Sequence, residues 1–285
     1  MAKIKGLSLR IQWLGNRLKR ARLEAGYTLD DAAAFLEITG ASISRFEKGT
    51  LRVKTPYLRE LIGFYGVNRR ERSAMLQLNE DAWRKDWWDG NTDDLEVGFM
   101  DHTWLEARAT RICAFEPLLV HGLLQTPEYT KAVTARGMNV AGNSEQVARS
   151  VELRVARQRI LTGDEPTKLS VIMEEPALRR PIGGTAVLKQ QLRHLLELGG
   201  SESVAVRILP NTIDWDPGYA GPFSIFEMPD PFSPVAFTET LAGRTFLEED
   251  SKVARFSETY DCLEQLSLSS EESTVFIMNE LKDLA

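Results

Sequence analysis

Residues 39–49, TGASISRFEKG, set four small residues, Gly40, Ala41, Ser42 and Ser44, ahead of an arginine, Arg45. Small residues let a helix approach another surface closely. Serine hydroxyls donate and accept hydrogen bonds, and a guanidinium can grip two acceptors at once. This is the chemistry of recognition. Catalysis has less to stand on: His102, His121 and His194 are scattered, Cys113 and Cys262 lie far apart, and none of the patterns H-E-x-x-H, G-x-S-x-G, C-x-x-C or G-x-x-x-x-G-K-[ST] occurs. The expectation is a chain with no catalytic residue, no metal site and no cofactor.

The residues around this stretch have helical periodicity. Ile11, Leu14, Leu18 and Ala21 form one apolar stripe that stops at Gly26, a C-terminal cap. Thr28 caps a second helix, with Asp30 and Asp31 in its first turn and Leu29, Ala32, Ala33 and Leu36 as its apolar face. Thr39 caps the third, which carries Ile43 and Phe46 and ends at Gly49. Pro56 opens a fourth with Leu58, Leu61, Ile62 and Tyr65, and residues 68–85 make a fifth. Two short helices joined by a tight turn, the second opening on small polar residues, describe a helix-turn-helix. In that motif the second helix enters the DNA major groove with its N-terminal residues at base edges. Gly40, Ala41, Ser42, Ser44 and Arg45 are then the expected base contacts, with Ala41 against a thymine methyl and Arg45 bidentate to guanine. Thr28, Thr39, Lys48, Arg52 and Lys54 are the expected phosphate contacts, which position the protein without reading sequence.

Charge is distributed to match. Residues 1–85 hold 17 Lys and Arg against 9 Asp and Glu, net +8, whereas residues 86–285 hold 18 against 32, net −14. A basic head suits a polyanion, and an acidic body leaves that head as the one docking face. The composition, 43% hydrophobic and 27% charged over 285 residues, suits two folded domains. Few cysteines, no apolar run long enough for a bilayer and no signal-like start give a cytoplasmic expectation with no membrane partner.

The stretch LGNRLKRARLEAGYTLDDAAAFLEITGASISRFEKG resembles the XRE/Cro-type helix-turn-helix domain of bacterial regulators, which commonly reads L-R-x-x-R-x-x-x-G-x-T and later S-R-x-E-x-G. The resemblance implies a structural ion pair between Arg22 and Glu47. It also marks a departure: many members place glutamine where this chain has Gly40, so direct base readout is expected to be thinner here.

Past the head, DAWRKDWWDGNTDD changes composition and suggests a boundary: a domain over 1–85, a linker over 86–98 and a second domain over 99–285. Trp83, Trp87 and Trp88 read as an apolar helix face locking head onto body. The body reads as mixed α+β, following an all-α five-helix head. HTWLEARATRICAFEP is expected as a helix running toward an apolar segment, and PEYTKAVTARG, SEQVARSVELRVARQRILTG, TAVLKQQLRHLLELG and the C-terminal stretches as helices. KLSVIMEE, SVAVRILP, GPFSIFEM and PVAFTET are expected strands. RRPIGGT reads as a turn before a helix. The loop NTIDWDPGYAGPF, with Asp214, Trp215, Asp216 and Tyr219 among turn formers, is a candidate ligand or partner site, and a packed loop accounts for it equally well.

FEPLLVHGLLQTPEYTKAV, VELRVARQRIL, RRPIGG, LKQQLRHLLELG, VRILP and GPFSIFEMPD resemble the C-terminal domain of WhiJ-type bacterial regulators, a domain of unassigned activity. That resemblance implies a small protein partner encoded nearby, in an antitoxin-like or developmental-switch arrangement. The combined expectation is a homodimeric transcriptional regulator on double-stranded DNA, a repressor or antitoxin-like protein. The alternative is a small-molecule-sensing or enzymatic body tethered to DNA by the head.

Overall fold

The computed structural model describes residues 9–83, 97–137 and 144–284. Its contacts divide the chain into two units, Met1–Trp104 with Asp230–Phe232, and Leu105–Pro229 with Ser233–Ala285. The linker expected at 86–98 falls outside the described residues up to residue 96, as do Trp87 and Trp88.

The first unit is helical: α1 (Leu9–Glu24), α2 (Leu29–Phe35), α3 (Gly40–Glu47), α4 (Thr55–Phe64), α5 (Arg69–Trp83) and most of α6 (Val97–Glu106). Trp13, Leu14, Leu18, Ile43, Phe46, Leu58, Leu61, Ile62, Met75 and Leu78 form its buried face, the stripe expected from the periodicity. Gly26, at φ +77°, ends α1, with Tyr27 N–H donating to Arg22 O and Gly26 N–H to Leu23 O, both at 3.1 Å. Left-handed glycine costs little there, and the reversed turn satisfies carbonyls that the helix end leaves open. Residues outside the five helices complete the unit: the Trp104 ring meets Trp13 edge-on at 5.9 Å and Phe232 at 6.2 Å, and Leu9 N–H donates to Asp101 at 2.8 Å.

The second unit holds a six-stranded sheet in the order β3-β2-β1-β4-β5-β6. β1 (Arg111–Glu116), β2 (Lys168–Glu174) and β3 (Val204–Leu209) are parallel, connected through α7 (Pro127–Gly137) and α8 (Ser144–Arg157), then α9 (Glu175–Arg179) and α10 (Thr185–Leu198). β4 (Phe223–Glu227), β5 (Val235–Thr240) and β6 (Gly243–Leu247) continue antiparallel, followed by α11 (Asp250–Leu266) and α12 (Ser270–Asp283). β1 and β2 are near-continuous apolar runs because central parallel strands are covered on both faces. On one face Cys113, Phe115, Ile172, Leu209, Phe223 and Ile225 pack with Tyr260 and Leu263 of α11. The buried Tyr260 hydroxyl donates to Ser170 Oγ at 2.7 Å. Between β1 and α7 the chain is irregular yet buried, and glutamines satisfy its backbone. Gln191 accepts from Thr126 N–H at 2.8 Å and donates to Leu124 O at 2.7 Å, and Gln158 donates to Gln125 O at 2.6 Å.

The fold is thus an all-α unit followed by an α+β unit, as the pattern predicts. Two local expectations are corrected. The apolar end of HTWLEARATRICAFEP is the central strand β1, reached after α6 closes at Glu106, because Ile112 to Phe115 are buried in succession and the strand pairs with β2 on one side and β4 on the other. β6 was not expected at all: GRTFL is short and only partly buried, and it forms because the Thr240–Gly243 turn folds it back onto β5.

Candidate nucleic-acid interface

The geometry of α2 and α3 follows from their caps. Thr28 and Asp31 form a reciprocal box: Asp31 N–H donates to Thr28 Oγ1 at 3.1 Å, and Thr28 N–H donates to the Asp31 carboxylate at 2.8 Å. The Thr28 hydroxyl also donates to Asp31 Oδ2 at 2.7 Å, and this bond first, then that from Thr28 N–H, holds the Asp31 carboxyl below the usual range. Thr39 Oγ1 accepts from Ser42 N–H at 3.2 Å and starts α3. Both hydroxyls offered as phosphate contacts therefore already fix helix starts.

Between the two helices the chain must reverse, and it does so at Glu37, whose φ of 55° is left-handed. Ile38 N–H reaches back to Ala33 O at 3.0 Å and Glu37 N–H to Ala34 O at 3.2 Å. Helix-turn-helix turns often use glycine here because a side chain is strained in this region. A glutamate occupies it in this chain.

What holds α3 from behind is a close approach and a charge pair. A Cβ on Gly15 of α1 would stand 2.6 Å from Glu47 O and 2.7 Å from Phe46 O, so only glycine lets α1 lie on the end of α3. Arg22 Nε and Nη2 meet the two Glu47 oxygens at 2.6 and 2.9 Å, and Arg22 Nη1 donates to Tyr27 O at 2.8 Å. Both side chains are buried, and the bond to Glu47 raises the Arg22 pKa. Beside them the Tyr65 hydroxyl is buried, and burial first, then Glu47, pushes its pKa up. Sequence spacing does not single out Gly15, since a glycine inside a helical stripe carries no mark of what lies opposite.

The outward side of α3 carries the expected base-reading set. Ala41 and Arg45 are exposed, and Gly40, Ser42 and Ser44 are half-buried. Arg45 Nη2 lies 3.5 Å from Ser42 Oγ, at the outer limit of a hydrogen bond, so it can extend toward a base. A Cβ on Gly40 would stand 2.9 Å from Asp30 Oδ1, which leaves less room for a larger residue at this helix start. Lys48, Arg52 and Lys54 are exposed beyond α3. The Arg52 guanidinium lies over the Trp83 ring at 5.5 Å, and Trp83 Nε1 donates to Val53 O at 3.4 Å. Lys54 opens α4 beside a cleft of about 540 Å³ lined by Thr55, Arg59, Leu76, Glu80 and Trp83. Other arginines of the head are neutralised: Glu71 takes Arg17 at 2.8 Å and Arg20 at 3.1 Å, and Arg70 pairs with Asp230 at 2.8 Å.

Residues 13–75 match the family model described as Helix-turn-helix domain, and residues 99–279 match the one described as Domain of unknown function (DUF5753). The chain belongs to the DUF5753 family. No curated protein and no solved structure matches it. The helix-turn-helix domain ahead of the DUF5753 domain supports a DNA-binding regulator of transcription. No described helix is long and apolar enough to cross a membrane.

Within the DUF5753 domain the loop expected as a ligand or partner site follows β3. Asp216 caps the short helical turn Pro217–Ala220 by accepting from Gly218 N–H at 2.7 Å, and a Cβ on Gly218 would stand 2.4 Å from the Phe115 ring. That anchoring leaves Trp215 65% and Tyr219 78% exposed, their ring centroids 6.5 Å apart. Burial, then Asp216, raises the pKa of Glu174 at the end of β2. Aromatic faces in an acidic frame can take an apolar or cationic group. RRPIGGT forms a turn, with Gly183 and Gly184 both at positive φ. Among the described residues no group of three or more His, Cys, Asp or Glu could hold a metal ion.

Proposed function

We propose that this chain is a cytoplasmic, non-enzymatic regulator of transcription that binds an operator as a homodimer, with α3 in the major groove of each half-site. The observation that carries the reading is α3 itself. Its back is locked by Gly15 and by the Arg22–Glu47 pair, and its front presents Ala41, Ser42, Ser44 and Arg45. Gly40 permits close approach, Arg45 offers the strongest base contact, and Lys48, Arg52 and Lys54 meet phosphates. Thr28 and Thr39 present their helix N-termini to the backbone. Dimerisation is supported by economy, since one head reading few bases gains specificity from a second half-site.

The likeness to XRE/Cro-type heads and WhiJ-type C-terminal domains supports a repressor or antitoxin-like role with a small protein partner. The exposed Trp215 and Tyr219, set between Asp214 and Asp216, supply the docking surface for a partner with a basic, apolar-bearing face. Selection of duplexes from a random pool by the full-length protein, followed by anisotropy at two salt concentrations, tests the DNA reading. The expected winner is two-fold symmetric, with half-sites about one helical turn apart and affinity that falls steeply with salt. Enrichment of nothing, or binding indifferent to salt, removes the DNA role, and a single half-site bound by a monomer removes the dimer.

A further inference from the structure

The two edges of the six-stranded sheet end differently. The β3 edge is closed: Ile208 N–H donates to Ser273 Oγ of α12 and Ile208 O accepts from Leu268 N–H, both at 2.9 Å, while Arg207 Nη1 donates to Leu268 O at 3.3 Å. At the other edge, among the described residues, β6 pairs with β5 alone. The two-residue turn Leu241–Ala242 joins that pair, so Thr240 and Gly243 exchange hydrogen bonds, as do Thr238 with Thr245 and Ala236 with Leu247, by the alternation of an antiparallel ladder. Phe246 falls between these, at a position whose N–H and C=O point away from β5. Among the described residues neither group meets a hydrogen-bond partner.

An open edge is a template for another strand, and proteins blunt it with proline, lysine or a covering segment. GRTFL contains neither proline nor lysine. Its one charge, Arg244, is turned onto Glu239 of β5 at 2.8 Å, and the Phe246 ring is fixed against Phe237, centroids 5.1 Å apart. The edge is also complementary to itself. Two copies turned antiparallel about Phe246 set Phe246 opposite Phe246, Thr245 opposite Leu247 and Arg244 opposite Glu248. Aromatic rings and opposite charges then face each other, the favourable cross-strand pairs. Centring the pairing one residue to either side opposes Phe246 to Arg244 or to Glu248, and centring it two residues away opposes Arg244 to Arg244 or Glu248 to Glu248. The register about Phe246 also brings the outward backbone groups of one copy onto those of the other.

We propose that β6 is the self-association edge of this chain and pairs antiparallel with β6 of a second copy about Phe246, making one sheet continuous across both copies. The inference deepens the homodimer reading above and rests on it. It also accounts for the unequal edges. A contact of one edge with its own copy closes at two chains, and with β3 capped by Ser273 and Leu268 the joined sheet has no open edge on which to grow further.

The test is sedimentation equilibrium of the full-length protein joined to thiol cross-linking. Cys113 is buried and Cys262 exposed, so Phe246→Cys with Cys262→Ser leaves one exposed thiol. The register sets it about 5.5 Å from its copy, Cα to Cα, within the span of a disulfide. Mild oxidation is expected to make most of the dimer covalent, whereas wild type, with its exposed thiol on α11, stays largely uncross-linked. Phe246→Pro removes an N–H that β5 does not use, which edge strands tolerate, and is expected to raise the dimer dissociation constant by on the order of 10- to 100-fold with the circular dichroism unchanged. In wild type the Phe246 amide is expected to exchange more slowly as the dimer fills. An amide that ignores dimer population overturns the pairing without any substitution and decides even if a variant fails to fold. A dimer that neither cross-links through Cys at 246 nor weakens in Phe246→Pro overturns the edge and keeps the homodimer. A chain monomeric at every concentration overturns both and leaves a strand of another protein as the occupant.

Discussion

Arg22 of α1 holds both carboxylate oxygens of Glu47 at the last turn of α3, at 2.6 and 2.9 Å, inside a buried contact. The pair ties the recognition helix to the helix behind it. Glu47→Ala leaves a buried guanidinium without its counter-charge and is expected to cost ~3 kcal/mol, whereas Arg22→Met with Glu47→Leu removes both charges and is expected to cost less. Amide exchange in α1 and α3 of the full chain reads the difference. A double variant that is worse than Glu47→Ala would mean that the charges themselves, rather than their mutual neutralisation, hold the helices.

Gly15 is the steric half of the same junction. Gly15→Ala drives a methyl against two carbonyl oxygens at the end of α3, and backbone atoms cannot swing aside as a side chain would. The expected cost is about 1–3 kcal/mol from overpacking, with weaker operator binding as α3 shifts. Gly26→Ala is the control: nothing stands within 4 Å of its Cβ, so only the left-handed backbone, at about 1–2 kcal/mol, is penalised. DNA affinity measured for both separates displaced α3 from simple loss of stability.

Glu37 carries strain in the turn between α2 and α3. Its φ of 55° favours glycine, and its side chain is exposed. Glu37→Gly is therefore expected to stabilise the head by about 0.5–1 kcal/mol, less whatever flexibility glycine adds to the unfolded chain. Chemical denaturation followed by exchange in α2 reads it. A destabilised variant would show that the glutamate makes up for its backbone cost elsewhere.

Arg45 and Lys54 are expected to fail differently. Arg45→Ala should weaken the selected operator by roughly 1–3 kcal/mol and relax preference at one base position, with little change on random duplex. Lys54→Ala should weaken all sequences alike and lower the salt slope by about one. A uniform loss for Arg45→Ala would reassign it to the phosphate backbone.

The head was legible in sequence because its signals are local. Caps at Thr28 and Thr39, stops at Gly26 and Gly49 and a 3.6-residue stripe each act within a few residues. Gly15 and Glu37 were not legible, since the first depends on a carbonyl more than thirty residues away and the second breaks a backbone preference. In the sheet unit the apolar strands β1 to β5 were visible in outline, although β1 looked like the end of a helix until pairing on both edges settled it.

Glu116, the last residue of β1, carries a stability signature of its own. Its folded pKa, about 8, lies above the ordinary value of 4.5, because burial and the nearby Glu239 both oppose ionisation. The folded protein therefore keeps a proton that the unfolded chain releases. The associated stability is fully present below pH 4.5 and is lost as pH rises toward 8, with a slope of up to about 1.4 kcal/mol per pH unit. Glu116→Gln, which cannot ionise, should flatten that stretch of the pH–stability profile and leave the variant more stable than wild type above pH 8. Arg244→Gln frees Glu239 from its ion pair and should extend the sloping stretch to higher pH, since the unscreened carboxylate then repels Glu116 more strongly. Profiles of wild type and Glu116→Gln that superimpose from pH 4.5 to 8 would place Glu116 in water, ionised like any surface carboxylate.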